Sequence, residues 1–199
     1  MIEPEFRGST GYGARHFRAG WKQWGRAMQD DVDDALDWVV GQGWVDAKRV
    51  CIAGASYGGY ATLMGLIRTP DRYRCGVARA AVTDIRVVFD WTWSSDVTEE
   101  ARLYSSPVLV GDPKDAVALA AISPIEQAAR IKTPLLLAFG GHDRRVPLEY
   151  GTRLRDALRA AGQEPEWVVY DDEGHGWLKP ENSIDFARRM EAFLAKYLK

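Results

Sequence analysis

The sequence predicts an α/β fold, a mainly parallel sheet flanked by helices on both faces. Three observations carry that expectation. Four short runs, RVCIAGA (49–55), CGVARAAV (75–82), TPLLLAFGG (133–141) and EWVVYDDEG (166–174), are rich in apolar and β-branched residues. The first three are apolar almost throughout rather than alternating, as strands covered on both faces are. Segments with helical spacing stand between the runs, and strand–helix units in alternation give parallel strands with crossover helices. With 46% hydrophobic and 27% charged residues over 199 positions, no repeat and no obvious linker, the chain suits one globular domain spanning 1–199.

The elements follow in order. In 29–40, Val32, Ala35, Leu36 and Val39 fall on one helical face. Asp30, Asp31, Asp33 and Asp34 are expected in the first turn of that helix, where its dipole favours negative charge. The DDVDD run lacks the glycine turn and distal glutamate of a calcium loop, so no metal is expected. The run at 49–55 predicts a strand buried on both faces, and YATLMGLIR predicts a helix ending before Thr69 and Pro70. A second strand follows at 75–82. The segment from about 84 to 130, with WTW at 91–93, predicts loops and short helices over a site. After the third strand, Leu154, Ala157, Leu158 and Ala161 line a helix closed by Gly162, a residue suited to a left-handed cap. Beyond the fourth strand, Ala187, Met190, Phe193, Leu194 and Tyr197 predict the inner face of a last helix from about 183.

Several function classes are excluded as expectations. A formal charge of -2 with interspersed signs offers no footprint for nucleic acid or an anionic membrane. The start, MIEPEF, lacks the basic-then-apolar pattern of a secretory leader, and the apolar run at 135–139 is far below spanning length. A soluble, cytoplasmic chain is expected. Two cysteines, Cys51 and Cys75, are too few for a disulfide framework and have no metal-like context, so both are expected as buried thiols.

The chemistry sits where the first strand ends. GASYGG places Ser56 in a GxSxG turn between strand and helix, the arrangement of a nucleophile elbow, in which a strained turn lifts the hydroxyl above the sheet's carboxyl edge. Gly54, Gly58 and Gly59 are expected to give the room that strand and helix need to pass closely. A serine hydroxyl needs a base and an acid to orient that base. His175, in DEGHGW past the fourth strand, lies at the same sheet edge; His142 reads as a partly exposed loop residue, and His16 is the weakest candidate of the three. Asp143, after the third strand, is the favoured acid. Asp84 is its rival, and Asp171 and Asp172 lie too near His175 in the chain. The order Ser56, Asp143, His175 results.

FRGSTGYG (6–13), the strand into GASYGGY, SPI with IKTPLLLAFGGHDRRVP, and YDDEGHGW together resemble the catalytic domain of the prolyl oligopeptidase family of serine peptidases. The likeness covers nearly the whole chain. It implies an α/β-hydrolase fold with Ser56 as nucleophile, His175 as base then acid, and Asp143 as orienter, without a cofactor or metal. It also implies an oxyanion contact from the Tyr57 amide and a hydrophobic pocket formed by Tyr57, Val82, Ile85, Val88 and Val146. Ile85 stands where family members often carry an aromatic ring.

Two departures from the family shape the expectation. Family members usually carry a β-propeller ahead of this domain, and nothing within these 199 residues could form one; the HGG loop is also absent from them with the first strands of the fold, so the domain reads as N-terminally truncated. That loop normally donates the second oxyanion contact, and one lost donor typically costs roughly a hundredfold to a thousandfold in turnover. The chain is then slow, or a residue such as Tyr12 substitutes. The missing strand would also leave 49–55 with an open edge, and open edges invite partners, so a homo-oligomer through that edge is expected. The functional expectation is a serine hydrolase cleaving peptide or ester bonds through an acyl-serine intermediate. A carboxylesterase for short-chain esters and an inactive fragment serving as a binding or assembly module are the alternatives.

Overall fold

A computed structural model describes residues 1–89 and 105–199. Strands β1 (Cys51–Ala55), β2 (Cys75–Arg79), β3 (Leu135–Gly140) and β4 (Glu166–Tyr170) form one sheet in chain order, each parallel to the next. Gly54 lies opposite Ala78, Ala78 opposite Leu137, and Leu137 opposite Trp167. Alternate residues feed two cores. Leu135, Leu137 and Phe139 enter the larger, while Leu136 and Ala138 enter the smaller with Val77 and Val168. That two-sided burial is why the run at 133–141 is apolar without alternation.

Parallel neighbours joined by crossovers of one hand place their connecting helices on one face. Helices α3 (Tyr57–Arg68) and α6 (Leu148–Ala160) accordingly share the larger core, through Leu63, Leu66 and Ile67 on one and Leu154 and Leu158 on the other. Helix α7 (Pro180–Tyr197) covers the opposite face with Phe193 buried and Phe186, Met190, Leu194 and Tyr197 packed beside it. Ala187, expected on that inner face, is exposed, and Phe186 takes its place. Helix α6 closes as expected: Gly162 has φ +80°, its N–H donates to the Arg159 carbonyl, and the Gln163 N–H donates to that of Leu158. Short helices α1 (Gly13–Ala19), α4 (Ser106–Leu109) and α5 (Ala116–Ala121) and 3-10 segments at Pro70–Arg72, Ile85–Phe89 and Pro124–Arg130 lie before and between these elements. The WTW stretch lies outside the described residues.

Three expectations are corrected. The strand at 49–55 is not buried on both faces: β1 is an edge strand bonded to β2, with Ala53 exposed and its other residues half-buried. Cys51 and Cys75 are not thiols but a disulfide, because the parallel register sets them side by side with Cα atoms 4.7 Å apart. Such bridges persist in oxidising compartments and are rare in the cytosol. Helix α2 (Ala27–Gly41) begins earlier than expected, so Asp30 alone of the acidic cluster lies in its first turn.

The cluster instead pairs outward. Arg68 reaches Asp30 at 2.6 Å, Arg72 reaches Asp37 at 2.5 Å, and the hydroxyls of Thr69 and Tyr73 donate to Asp33, so the acids tie α2 to the end of α3 and the turn beyond it. Asp31 receives the Arg7 guanidinium on both oxygens, at 2.7 and 2.5 Å, and the Arg7 backbone N–H as well. The Arg7 hydrogen bonds hold its carboxyl below the ordinary value of 3.8. A depressed carboxyl stabilises the fold above its unfolded value and ceases to do so as pH falls through the folded one. Asp31→Asn is therefore expected to lose about 1 kcal/mol at neutral pH. That deficit should shrink below about pH 4, as urea titrations across pH would read. Among the described residues no cluster suits a metal ion, and no helix is long and apolar enough to cross a membrane.

Candidate active site

Strand β1 delivers the chain into a residue that few side chains tolerate. Ser56 has φ +56° and ψ -117°, in the left-handed half of conformational space. The strain is held from both sides: the Ser56 N–H donates to the Arg79 carbonyl at 2.9 Å, and its carbonyl accepts the Tyr60 N–H at 3.0 Å as α3 begins. A Cβ on Gly54 would lie 2.3 Å from the Gly58 carbonyl group, and one on Gly59 would lie 2.7 Å from the Ala81 Cβ. Both glycines are needed for the close passage of strand and helix. Gly58 differs from expectation, since a Cβ there meets nothing within 4 Å. Its backbone is what Gly54 must clear.

The loops after β3 and β4 bring the other two polar groups to this turn. His175 Nε2 lies 2.9 Å from Ser56 Oγ, and His175 Nδ1 lies 2.9 Å from Asp143 Oδ2. The network assigns the tautomer. A carboxylate accepts only, so Nδ1–H donates to Asp143 and the Nε2 lone pair receives the serine O–H. Asp143 is 5% exposed. Its other oxygen, Oδ1, accepts the N–H groups of Arg145 and Val146 at 2.8 and 2.9 Å. The carboxylate is thus fixed by its own loop before it meets the imidazole. Side chains from three strand ends therefore converge on one hydroxyl.

The remaining candidates fall elsewhere. Asp84 is buried but faces Arg86 at 2.7 Å, with Arg153 3.8 Å from its second oxygen. Asp172 pairs with Lys179 and accepts from Asn182. His142 is exposed, and His16 Nε2 donates to the Phe6 carbonyl at 3.1 Å. The Tyr12 ring lies 5.3 Å from that of His16, tilted by 54°, and lines a cleft with Glu5 and Arg15.

The Tyr57 amide opens α3, where a helix N–H has no partner within the helix. Its ring sits among Phe6, Trp24 and Tyr60 at centroid distances of 5.1, 4.6 and 5.6 Å. Burial raises the Tyr57 phenol, which stays neutral. Val82, Ile85, Val88 and Val146 lie at 4% exposure or less within the larger core, so of the five expected pocket residues Tyr57 alone is half-exposed.

One buried acid escaped the sequence reading. Glu173, at 2% exposure, accepts the backbone N–H groups of Leu178 and Lys179 and the Asn182 side-chain amide, all at 2.9 Å. Nothing in the DDE run separates it from its exposed neighbours. The faint signal is the Gly140–Gly141 pair, whose missing side chains let the loops after β3 and β4 touch: a Cβ on Gly140 would lie 2.5 Å from the Glu173 carbonyl oxygen.

Dipeptidyl aminopeptidase BIII of Pseudoxanthomonas mexicana is 36% identical over all of this chain, which spans 29% of that relative. Dipeptidyl peptidase family member 6 of Caenorhabditis elegans is 31% identical, again over all of this chain and 27% of the relative. Among solved structures, a puromycin-hydrolyzing peptidase of Mycobacterium tuberculosis superposes with a TM-score of 0.87 at 26% identity, covering 97% of this chain and 28% of that one. The acylaminoacyl peptidase of Pyrococcus horikoshii gives 0.84 at 23% identity, over 98% of this chain and 32% of its own, and speaks for the fold. These neighbours bear out the α/β-hydrolase fold. The model of the prolyl oligopeptidase family matches residues 1–199, end to end, and the chain belongs to that family.

Proposed function

We propose that this chain is the catalytic part of a serine peptidase that works through an acyl-serine intermediate. The observation that carries the reading is His175, whose two ring nitrogens lie 2.9 Å from the Ser56 hydroxyl and 2.9 Å from the Asp143 carboxylate. In the first step Ser56 Oγ attacks the carbonyl carbon of the scissile bond while its proton passes to His175 Nε2. Asp143 stabilises the resulting imidazolium and keeps the ring in register. The developing oxyanion faces the positive end of α3 and the Tyr57 amide. His175 then gives its proton to the leaving group, and water repeats the sequence to release the acid. Peptides are the substrate class suggested by the relatives, among them dipeptidyl peptidases and acylamino-acid-releasing enzymes.

Esters are easier substrates for the same residues, because an alkoxide needs less protonation help than an amine on leaving. A fluorophosphonate probe tests the mechanism directly, since only an activated serine reacts with it. One label per chain, lost in Ser56→Ala, is the expected result; no labelling of the wild-type chain would favour a binding or assembly module instead. A matched ester and amide pair on the labelled-competent protein then tells an esterase from a peptidase.

A further inference from the structure

His175 sits on a nine-residue excursion between β4 and α7, and a loop of that length does not by itself hold an imidazole on two partners at once. Something must close it. On the apolar side Trp177, 9% exposed, is packed between Tyr170 and Phe186 with the Arg79 guanidinium over its ring. On the polar side Glu173 spans the excursion. Its Oε2 accepts the Leu178 N–H, and its Oε1 accepts the Lys179 N–H and the Asn182 amide, so the residue two before His175 is tied to those three, four and seven after it. The Glu173 backbone reaches the other way: its carbonyl accepts the N–H of His142, the neighbour of Asp143, at 2.9 Å. One residue therefore links the loop of the base to the loop of its acid.

A buried carboxylate without donors would be expensive and would take up a proton. Burial pushes the Glu173 carboxyl upward, but the Asn182 amide and the two backbone N–H groups outweigh it and leave the group lowered. The acid is ionised and fully engaged, and none of its contacts is to Ser56, Asp143 or the ring of His175. We propose that Glu173 is a positioning residue: its carboxylate closes the loop that carries His175, so that the imidazole meets Asp143 and Ser56 together. This rests on the reading of those three residues given above.

Glu173→Gln tests it, because a glutamine has one oxygen where the loop supplies donors to two, and its own NH2 must face a donor. Displacement of a catalytic group by about 1 Å costs on the order of a hundredfold. The expected result is a fall in kcat of about thirtyfold to a hundredfold with KM little changed, and an equal fall in the rate of fluorophosphonate labelling. The downfield proton resonance of the His175 Nδ1–H···Asp143 bond should broaden or vanish, at temperatures where thermal unfolding shows the variant folded. Asn182→Ala, which removes one donor and leaves the backbone alone, should weaken the same readouts by a few-fold and serves if the glutamine variant does not fold. An unchanged resonance with kcat within twofold of wild type in the folded variant overturns the proposal. If wild-type protein takes no label, the hydrolase reading falls while the resonance still reports whether Glu173 holds the ring on Asp143.

Discussion

Ser56→Ala is expected to lower kcat by about a millionfold, with KM within a few-fold of wild type. The substitution removes the hydroxyl oxygen that faces His175 Nε2 and leaves the elbow's backbone bonds to Arg79 and Tyr60 in place. Substrate still binds, because the Tyr57 amide and the surrounding surface are untouched, but no group is left to form the acyl bond. His175→Ala should cost about as much, and the double variant little more than either, since nucleophile and base act as one unit. Single-turnover kinetics with a chromogenic ester reads this without interference from product release. Turnover within tenfold of wild type in Ser56→Ala would remove Ser56 from the mechanism.

Asp143→Asn is expected to lower kcat by about ten-thousandfold while barely moving the thermal midpoint. Asp143 Oδ1 serves two backbone donors, Arg145 and Val146, and Oδ2 serves the imidazole. An asparagine side chain has one oxygen and one NH2. The oxygen must stay with the two N–H groups, because leaving both unpaired in a buried loop costs more than losing one contact. The NH2 then faces His175 Nδ1, which has to accept, so the ring proton moves to Nε2 and the lone pair that should take the serine proton is gone. The fold survives and the base does not. A loss of less than tenfold in Asp143→Asn would show that the tautomer is not set by this contact.

The legible parts of the fold were those where one physical demand dominates. Continuous apolar runs marked the strands, and β3 lies within 133–141 because both of its faces are covered. Gly162 marked the end of α6 because a left-handed cap admits few other residues. Ser56, Asp143 and His175 were legible as positions at strand ends, and their distances came from the sheet order that brings those ends together. What stayed hidden depends on neighbours distant in the chain. The Cys51–Cys75 bridge needs the register of β1 against β2, which composition does not contain. The acids of α2 looked like a dipole effect until Arg7, Arg68 and Arg72 came within reach. Val82, Ile85, Val88 and Val146, taken over from the family resemblance, lie in a core whose depth only the packing of α3, α6 and the short segments reveals.

Strand β1 has a second consequence. A border strand bonded along one flank normally breathes, peeling from its free end inward, and such fraying would carry any group at its tip with it. Here both extremities are fastened to β2, by sulfur at Cys51 and by the Ser56 N–H on Arg79 at the other. Both fastenings oppose fraying from either end, so the reactive oxygen hangs from an anchored point rather than from a loose hem.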